Sequence, residues 1–158
     1  MNFEHTLYKN HKKLPANIVK LIKKANNLTK SAYAPYSNFY VGAALLLDND
    51  KIIGGCNQEN ASYPLCICAE RVALYTYGAK LAQKTKIRAL AVTAHYPTKP
   101  LTQPCMPCGA CRQVIEEYEQ RQKRPIDIYV TAYGIDTVIK LKGIQTILPA
   151  AFQQENLI

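Results

Sequence analysis

The chain has 158 residues, of which 48% are apolar and 20% charged, and its 20 Lys+Arg against 11 Asp+Glu leave a net charge of +9. That composition is ordinary for one globular domain large enough to bury a core without disulfides. It excludes a membrane-spanning protein, because no apolar run approaches the roughly 18 residues a span requires, and it excludes repeat arrays and low-complexity tails. The expectation is a single domain over residues 1–158, with residues 1–13 as a basic N-terminal extension. Met1 to Lys13 has no long apolar stretch and no small-residue cleavage site, which argues against a secretory signal and for a cytoplasmic protein.

The positive charge is dispersed. Lys9, Lys12, Lys13, Lys20, Lys23, Lys24 and Lys30 lie in the N-terminal fifth, and Arg121, Lys123 and Arg124 form a second small group. Neither group is interleaved with stacking aromatics, so a solvated basic surface is favoured over a nucleic-acid interface.

In chain order, Pro15 suits the first turn of a helix. Ile18, Leu21, Ile22, Ala25 and Leu28 then recur at helical spacing, predicting an amphipathic helix that ends near Ala34-Pro35 and covers a sheet. Phe39–Leu47 and Lys51–Asn57 read as two strands of a hairpin turning at Asp48-Asn49-Asp50. A loop over Gln58–Leu65 precedes a helix from Cys68 to about Leu81, with Ala69, Val72, Ala73 and Tyr77 among its buried positions. Ile87–Ala94 is short and continuously apolar, as a fully buried strand is. The four prolines between His95 and Pro107 predict a loop. A helix starting near Cys108 buries Val114, Ile115 and Tyr118 and ends within Gln120–Pro125. Ile126–Tyr133 and Thr137–Leu141 are strands whose four-residue link allows only antiparallel pairing. A last short helical segment spans Ile144–Leu148.

The order α-β-β-α-β-α-β-β predicts a three-layer α/β/α sandwich around a central mixed five-stranded sheet. Right-handed crossovers on either side of Ile87–Ala94 bring the N-termini of the two flanking helices to one edge of that sheet.

Those N-termini carry the cysteines. Of Cys56, Cys66, Cys68, Cys105, Cys108 and Cys111, five fall in two tight clusters, a metal-ligand pattern rather than a disulfide one. Cys108 and Cys111 are three apart at a helix start, so their sulfurs share one side of the first turn. A third thiol from the other cluster gives a three-ligand zinc site with an open fourth position, the arrangement of catalytic zinc. Cys68 is preferred over Cys66 because Glu70, two residues on, can then reach a water in that position. Gly109-Ala110 favours Cys108/Cys111 over Cys105/Cys108, which leaves Cys105 a bystander in the proline loop. A four-thiolate structural site using Cys66 or Cys105 is the alternative. A thioredoxin-like redox pair is disfavoured because a proline loop, not a strand, precedes the motif. His5, His11 and His95 lack metal-ligand spacing.

Cys68-Ala69-Glu70, followed 40 positions later by Pro107-Cys108-Gly109-Ala110-Cys111-Arg112-Gln113, resembles the small, homotetrameric zinc-dependent cytidine deaminases. The segments Ala34–Ala44, Gly55–Ala61 and Leu148–Phe152 resemble that family too, so the likeness covers roughly residues 30 to 152. The departures are the basic N-terminus and the Pro97–Met106 loop with its extra Cys105. The resemblance implies one Zn²⁺ per subunit and hydrolytic deamination of cytidine and deoxycytidine, with release of ammonia, in pyrimidine salvage. It implies that Phe39 packs on the pyrimidine, that Asn57 and Glu59 hold the ribose hydroxyls, and that Ala69 contacts substrate. Ala61, Tyr63 and Phe152 are implied to reach a neighbouring subunit's site, and Arg71 to offset thiolate charge. The expected chemistry is attack of an activated water on C4. Glu70 moves its proton first to ring N3 and then toward the leaving amine.

Three rivals are distinguishable. A deaminase for another small amine, such as a nucleoside antibiotic, has no use for Phe39 and Asn57-x-Glu59. A nucleic-acid-editing deaminase needs a pocket open to a polymer. A structural zinc module needs no carboxylate beside its metal.

Overall fold

The structure is a computed structural model that describes residues 3–80 and 85–157. Among the described residues it has six strands and three α-helices. They are β1 (Thr6–Tyr8), α1 (Ala16–Leu28), β2 (Tyr40–Leu47), β3 (Ile52–Cys56), α2 (Ala69–Lys80), β4 (Ile87–His95), α3 (Gly109–Gln122), β5 (Asp127–Ala132) and β6 (Val138–Lys142). The strands form one mixed sheet in the order β1-β6-β5-β4-β2-β3. β4 and β5 are parallel, and every other neighbouring pair is antiparallel, including β5 with β6.

The expected five-stranded sheet is therefore corrected to six. The added strand is β1, which pairs Thr6 with Lys140 and Tyr8 with Val138 along the open edge of β6. Three residues in a basic segment carry too little alternation to announce a strand; the partner's unpaired edge makes one. The first helix is shorter than expected. Its α-helical part stops at Leu28 and a 3-10 turn follows over Thr29–Ser31, well before Pro35. The second helix is described to Lys80, and Leu81, its expected end, lies outside the described residues.

Alternation along β2 sorts the core into two layers. Ala43, Leu45 and Leu47 point to the face covered by α2 and α3, with Ala73, Leu74, Ile115 and Ile128. Ala44 and Leu46 point to the other face, where α1 lays down Ile18, Leu21, Ile22 and Ala25. Val72, Val114 and Leu28, expected in the core, are only half-buried, and Leu74, which went unmarked, is fully buried. Two glycines permit close approach of the layers. A Cβ on Gly42 would run into the carbonyl oxygen of Ala25 in α1. One on Gly55 would lie 2.5 Å from the Ala73 nitrogen and 2.6 Å from the Ala69 oxygen, so Gly55 lets β3 seat the first turn of α2.

Antiparallel pairing of β2 with β4 puts Tyr40 opposite His95. The start of β2, the end of β3 and the N-termini of α2 and α3 consequently gather at the C-terminal end of the parallel pair β4/β5. That is where open α/β sheets place their binding crevices. Among the described residues no helix is long and apolar enough to cross a membrane.

Candidate active site

Cys68 immediately precedes α2, and Cys108 is the N-cap of α3. Each carbonyl receives the first helical hydrogen bond of its helix, from Val72 N–H at 3.1 Å and Arg112 N–H at 3.0 Å. Cys111 lies one turn into α3 and is fully buried. The Sγ atoms of Cys68, Cys108 and Cys111 all lie within 4.8 Å of one another, and Cys68 and Cys108 are 3.8 Å apart. A tetrahedral zinc with bonds of about 2.3 Å spaces its sulfurs by about 3.8 Å, so the donor set fits that ion in size and in softness. Cys66 stands outside the cluster, its sulfur accepting the Asn60 N–H at 3.2 Å. Gly109 is not what makes the cluster possible, contrary to the sequence reading: its φ is not positive and a Cβ there meets open space.

Within the cluster the electrostatics favour the thiolate at Cys68. A hydrogen bond from the Cys111 thiol, with Arg71 beside it, outweighs burial and brings Cys68 down to about 5. The same hydrogen bond, together with burial, holds Cys111 well above an ordinary thiol. Arg71 donates through Nη2 to Cys68 Sγ at 3.8 Å and to the Cys66 carbonyl at 3.3 Å. Both helix N-termini add their dipoles in the same sense.

Glu70 occupies the first turn of α2 and is 4% exposed. Burial, reinforced by the charge of Cys68, pushes its carboxyl up to about 7. It lines a pocket of about 290 Å³ together with Cys68, Cys108, Phe39, Asn57 and Glu59. Ser37, Val41, Val92 and Met106 are among the other residues of the wall, and none of the four was singled out from the sequence as a site residue. Cys105, expected to be a bystander, lies outside the metal-capable cluster but does line this pocket. Burial and then the Glu70 charge raise its thiol pKa.

A turn and a strand end also contribute to the pocket wall. Asn38 N–H donates to the Ala34 carbonyl at 3.0 Å, and Asn38 itself is left-handed (φ 55°), a conformation asparagine tolerates. This turn delivers Phe39 to the pocket. The Asn57 side chain bridges the backbone on either side of Tyr40, accepting from Val41 N–H at 2.7 Å and donating to the Phe39 carbonyl at 2.9 Å. One N–H and one lone pair of that amide remain for a ligand. Glu59 accepts from the backbone N–H groups of Tyr36 (2.9 Å) and Ser37 (3.3 Å) and from the Ser37 hydroxyl. Burial raises its carboxyl, but these three donors outweigh burial and hold it below its ordinary value.

Ala61, Tyr63, Ala69 and Phe152 do not line this chain's pocket. Ala69 is fully buried beneath it. Ala61 is exposed, Tyr63 is 67% exposed with its ring 5.8 Å from that of Tyr36, and Phe152 is 59% exposed. The three histidines stand apart from the cysteines: His11 pairs with Asp136 at 2.9 Å, His95 stacks on Tyr133, and His5 caps the Phe3 carbonyl.

The chain is similar to known proteins in sequence and in fold. Residues 15–124 match the family described as cytidine and deoxycytidylate deaminase zinc-binding region. A cytidine deaminase of Halalkalibacterium halodurans is 42% identical over 137 residues, covering 87% of this chain and 95% of that protein. One of Sporosarcina psychrophila is 38% identical, covering 89% and 95%. Among solved structures, the cytidine deaminase of Burkholderia pseudomallei superposes with a TM-score of 0.69 at 40% identity, over 84% of this chain and 97% of that one. The enzyme of Mycobacterium tuberculosis gives 0.65 at 30% identity, over 88% and 99%. A family match over more than half the sequence, with relatives aligned almost end to end, makes this chain a member of the cytidine and deoxycytidylate deaminase zinc-binding family.

Proposed function

We propose that the protein is a cytidine deaminase that converts cytidine and deoxycytidine to uridine and deoxyuridine with release of ammonia. The observation that carries this reading is the buried Glu70 beside three zinc-spaced thiols, two of which, Cys68 and Cys108, line with Glu70 the same pocket as Phe39, Asn57 and Glu59. Cys68, Cys108 and Cys111 hold one zinc per subunit. Zinc, when bound, supplies Lewis-acid activation of water. Glu70 takes the proton at its carboxylate, delivers it to ring N3, and then relays a proton to the departing amine. Its burial excludes bulk water from that relay.

Phe39 stacks on the pyrimidine, Asn57 donates to and accepts from the ribose hydroxyls, and Glu59 accepts from them. Glu59 stays ionised for this task, held by Ser37 and the Tyr36 amide. Ala69, between Cys68 and Glu70, is assigned to the substrate through its backbone. Arg71 offsets the thiolate charge. The exposure of Ala61, Tyr63 and Phe152 supports a homotetramer in which each chain completes a neighbour's pocket. Residues 1–158 act as one domain with a basic extension over 1–13, in the cytoplasm, in pyrimidine salvage.

The reading is tested by supplying zinc-loaded protein with cytidine, deoxycytidine and a cytosine-containing single-stranded oligonucleotide. Turnover of the two nucleosides and none of the oligonucleotide is expected. Deamination of the oligonucleotide alone would replace this reading with the nucleic-acid-editing one.

A further inference from the structure

The last residues of the chain are tied to the zinc-bearing helix by side chains that catalysis does not use. Gln113, two residues beyond Cys111, donates from Nε2 to the Phe152 carbonyl at 2.7 Å and accepts the Phe152 N–H on Oε1 at 3.3 Å. One amide thus grips both backbone polar groups of a single residue, as a neighbouring strand would. One turn further along α3, Glu116 is 1% exposed and accepts from Gln153 Nε2 at 2.8 Å and from Gln120 Nε2 at 2.9 Å. Just before Gln113, Arg112 donates to the Pro107 carbonyl at 2.8 Å and to the Ile147 carbonyl at 3.0 Å. Residues 147, 152 and 153 are therefore indexed, through consecutive turns of one helix, to the loop and helix that carry Cys108 and Cys111.

The aromatic ring on this clamped backbone is left 59% exposed. An exposed phenyl on loose chain loses ordering entropy when it is buried against a partner; a clamped one has lost most of it beforehand. We propose that Gln113 is a positioning residue for the deamination, acting through Phe152: its two hydrogen bonds hold the Phe152 ring ready to close the pocket of a neighbouring copy of this chain. This rests on the reading that Phe152 serves a neighbour's site. Gln113 contacts no substrate, and Glu116 supports it by anchoring Gln153.

The test combines amide hydrogen exchange with a double-mutant cycle on the zinc-loaded protein. Gln113→Ala is expected to speed exchange at the Phe152 amide at least tenfold and to raise KM for cytidine about fivefold, while kcat changes less than twofold. Phe152→Ala is expected to raise KM more. Adding Gln113→Ala to Phe152→Ala should then change KM by less than twofold, because the two act as one unit. Glu116→Leu, which replaces a buried carboxylate with an apolar group of similar size, gives a second route to the tail should Gln113→Ala fold poorly; it should speed exchange at Gln153. Unchanged exchange at Phe152 in Gln113→Ala, or KM effects that multiply independently in the double variant, would overturn the proposal. An unchanged KM in Phe152→Ala would instead remove the reading of Phe152 as a neighbour's residue. If cytidine is not turned over at all, the proposed activity fails, and the exchange measurement still decides whether Gln113 clamps the tail.

Discussion

On one face of the sheet α1 works alone, burying Ile18, Leu21, Ile22 and Ala25 while Lys20, Lys23 and Lys24 stand in solvent. No Asp or Glu occurs between Glu4 and Asp48, so α1 itself carries only basic charge, with Asp50 from the following hairpin beside Lys20, Lys23 and Lys24. On the other face α2 and α3 bury carboxylates as well as apolar groups: Glu70, Glu116 and Glu119 are all under 10% exposed. Buried ionisable groups cost stability unless partnered or neutral, and a fold retains them where they hold structure or do chemistry. Of the three, Glu70 faces the cysteines, Glu116 holds the tail, and Glu119 receives the Ile126 and Ile144 amides where the chain turns out of and back to α3. The clean helical stripe marks the supporting face, and the broken one marks the working face.

That contrast can be broken from either side. The largest effect should come from Glu70→Gln, which keeps shape and burial but cannot carry a proton; turnover of cytidine should fall by about 10³, with zinc content and melting temperature retained. Leu21→Ala on the plain face should do the reverse, costing about 3 kcal/mol in urea denaturation while kcat at temperatures below the transition stays at the wild-type value.

Glu119→Gln tests the working face by pH. Burial, opposed by the two amides, raises the Glu119 carboxyl from 4.5 to about 7. The folded chain then binds more protons than the unfolded one between those values. Stability contributed at low pH is lost as pH rises toward 7 and stays lost above it, by up to about 3 kcal/mol. Urea midpoints of wild type and Glu119→Gln should diverge in this sense between about pH 5 and about pH 8. Parallel profiles would show that Glu119 does not titrate there. Arg71→Ala should lower kcat about tenfold and affect cytidine binding less, since a charge-assisted contact to a ligand thiolate is lost rather than a substrate contact. The smallest effect should be Asp136→Ala, which removes a mostly exposed partner of His11 and should shift stability by less than about 1 kcal/mol.

Much of this was legible in the residues themselves. The period of α1, the hairpin around Asp48-Asn49-Asp50 and the antiparallel β5/β6 pair follow from local spacing, and the convergence of the two cysteine clusters follows from the handedness of the crossovers. What escaped depends on partners distant in sequence. β1 exists because β6 offers an open edge. Glu116 and Glu119 flank Tyr118 in the polar run Glu116-Glu117-Tyr118-Glu119-Gln120-Arg121-Gln122, where local spacing marks the tyrosine as buried but not the two buried glutamates. Gln113 could have been noticed only as a polar residue on the zinc helix with no ligand to serve. Cys105 looked idle because its loop has no periodicity, and the pocket wall it joins comes from five separate segments.

The most direct measurement is zinc content and cytidine turnover on the same preparations of wild type and Glu70→Gln. The account predicts one zinc per chain in both, with uridine and ammonia formed by the wild type alone. Zinc bound in both without any uridine, or equal turnover by Glu70→Gln, would contradict it.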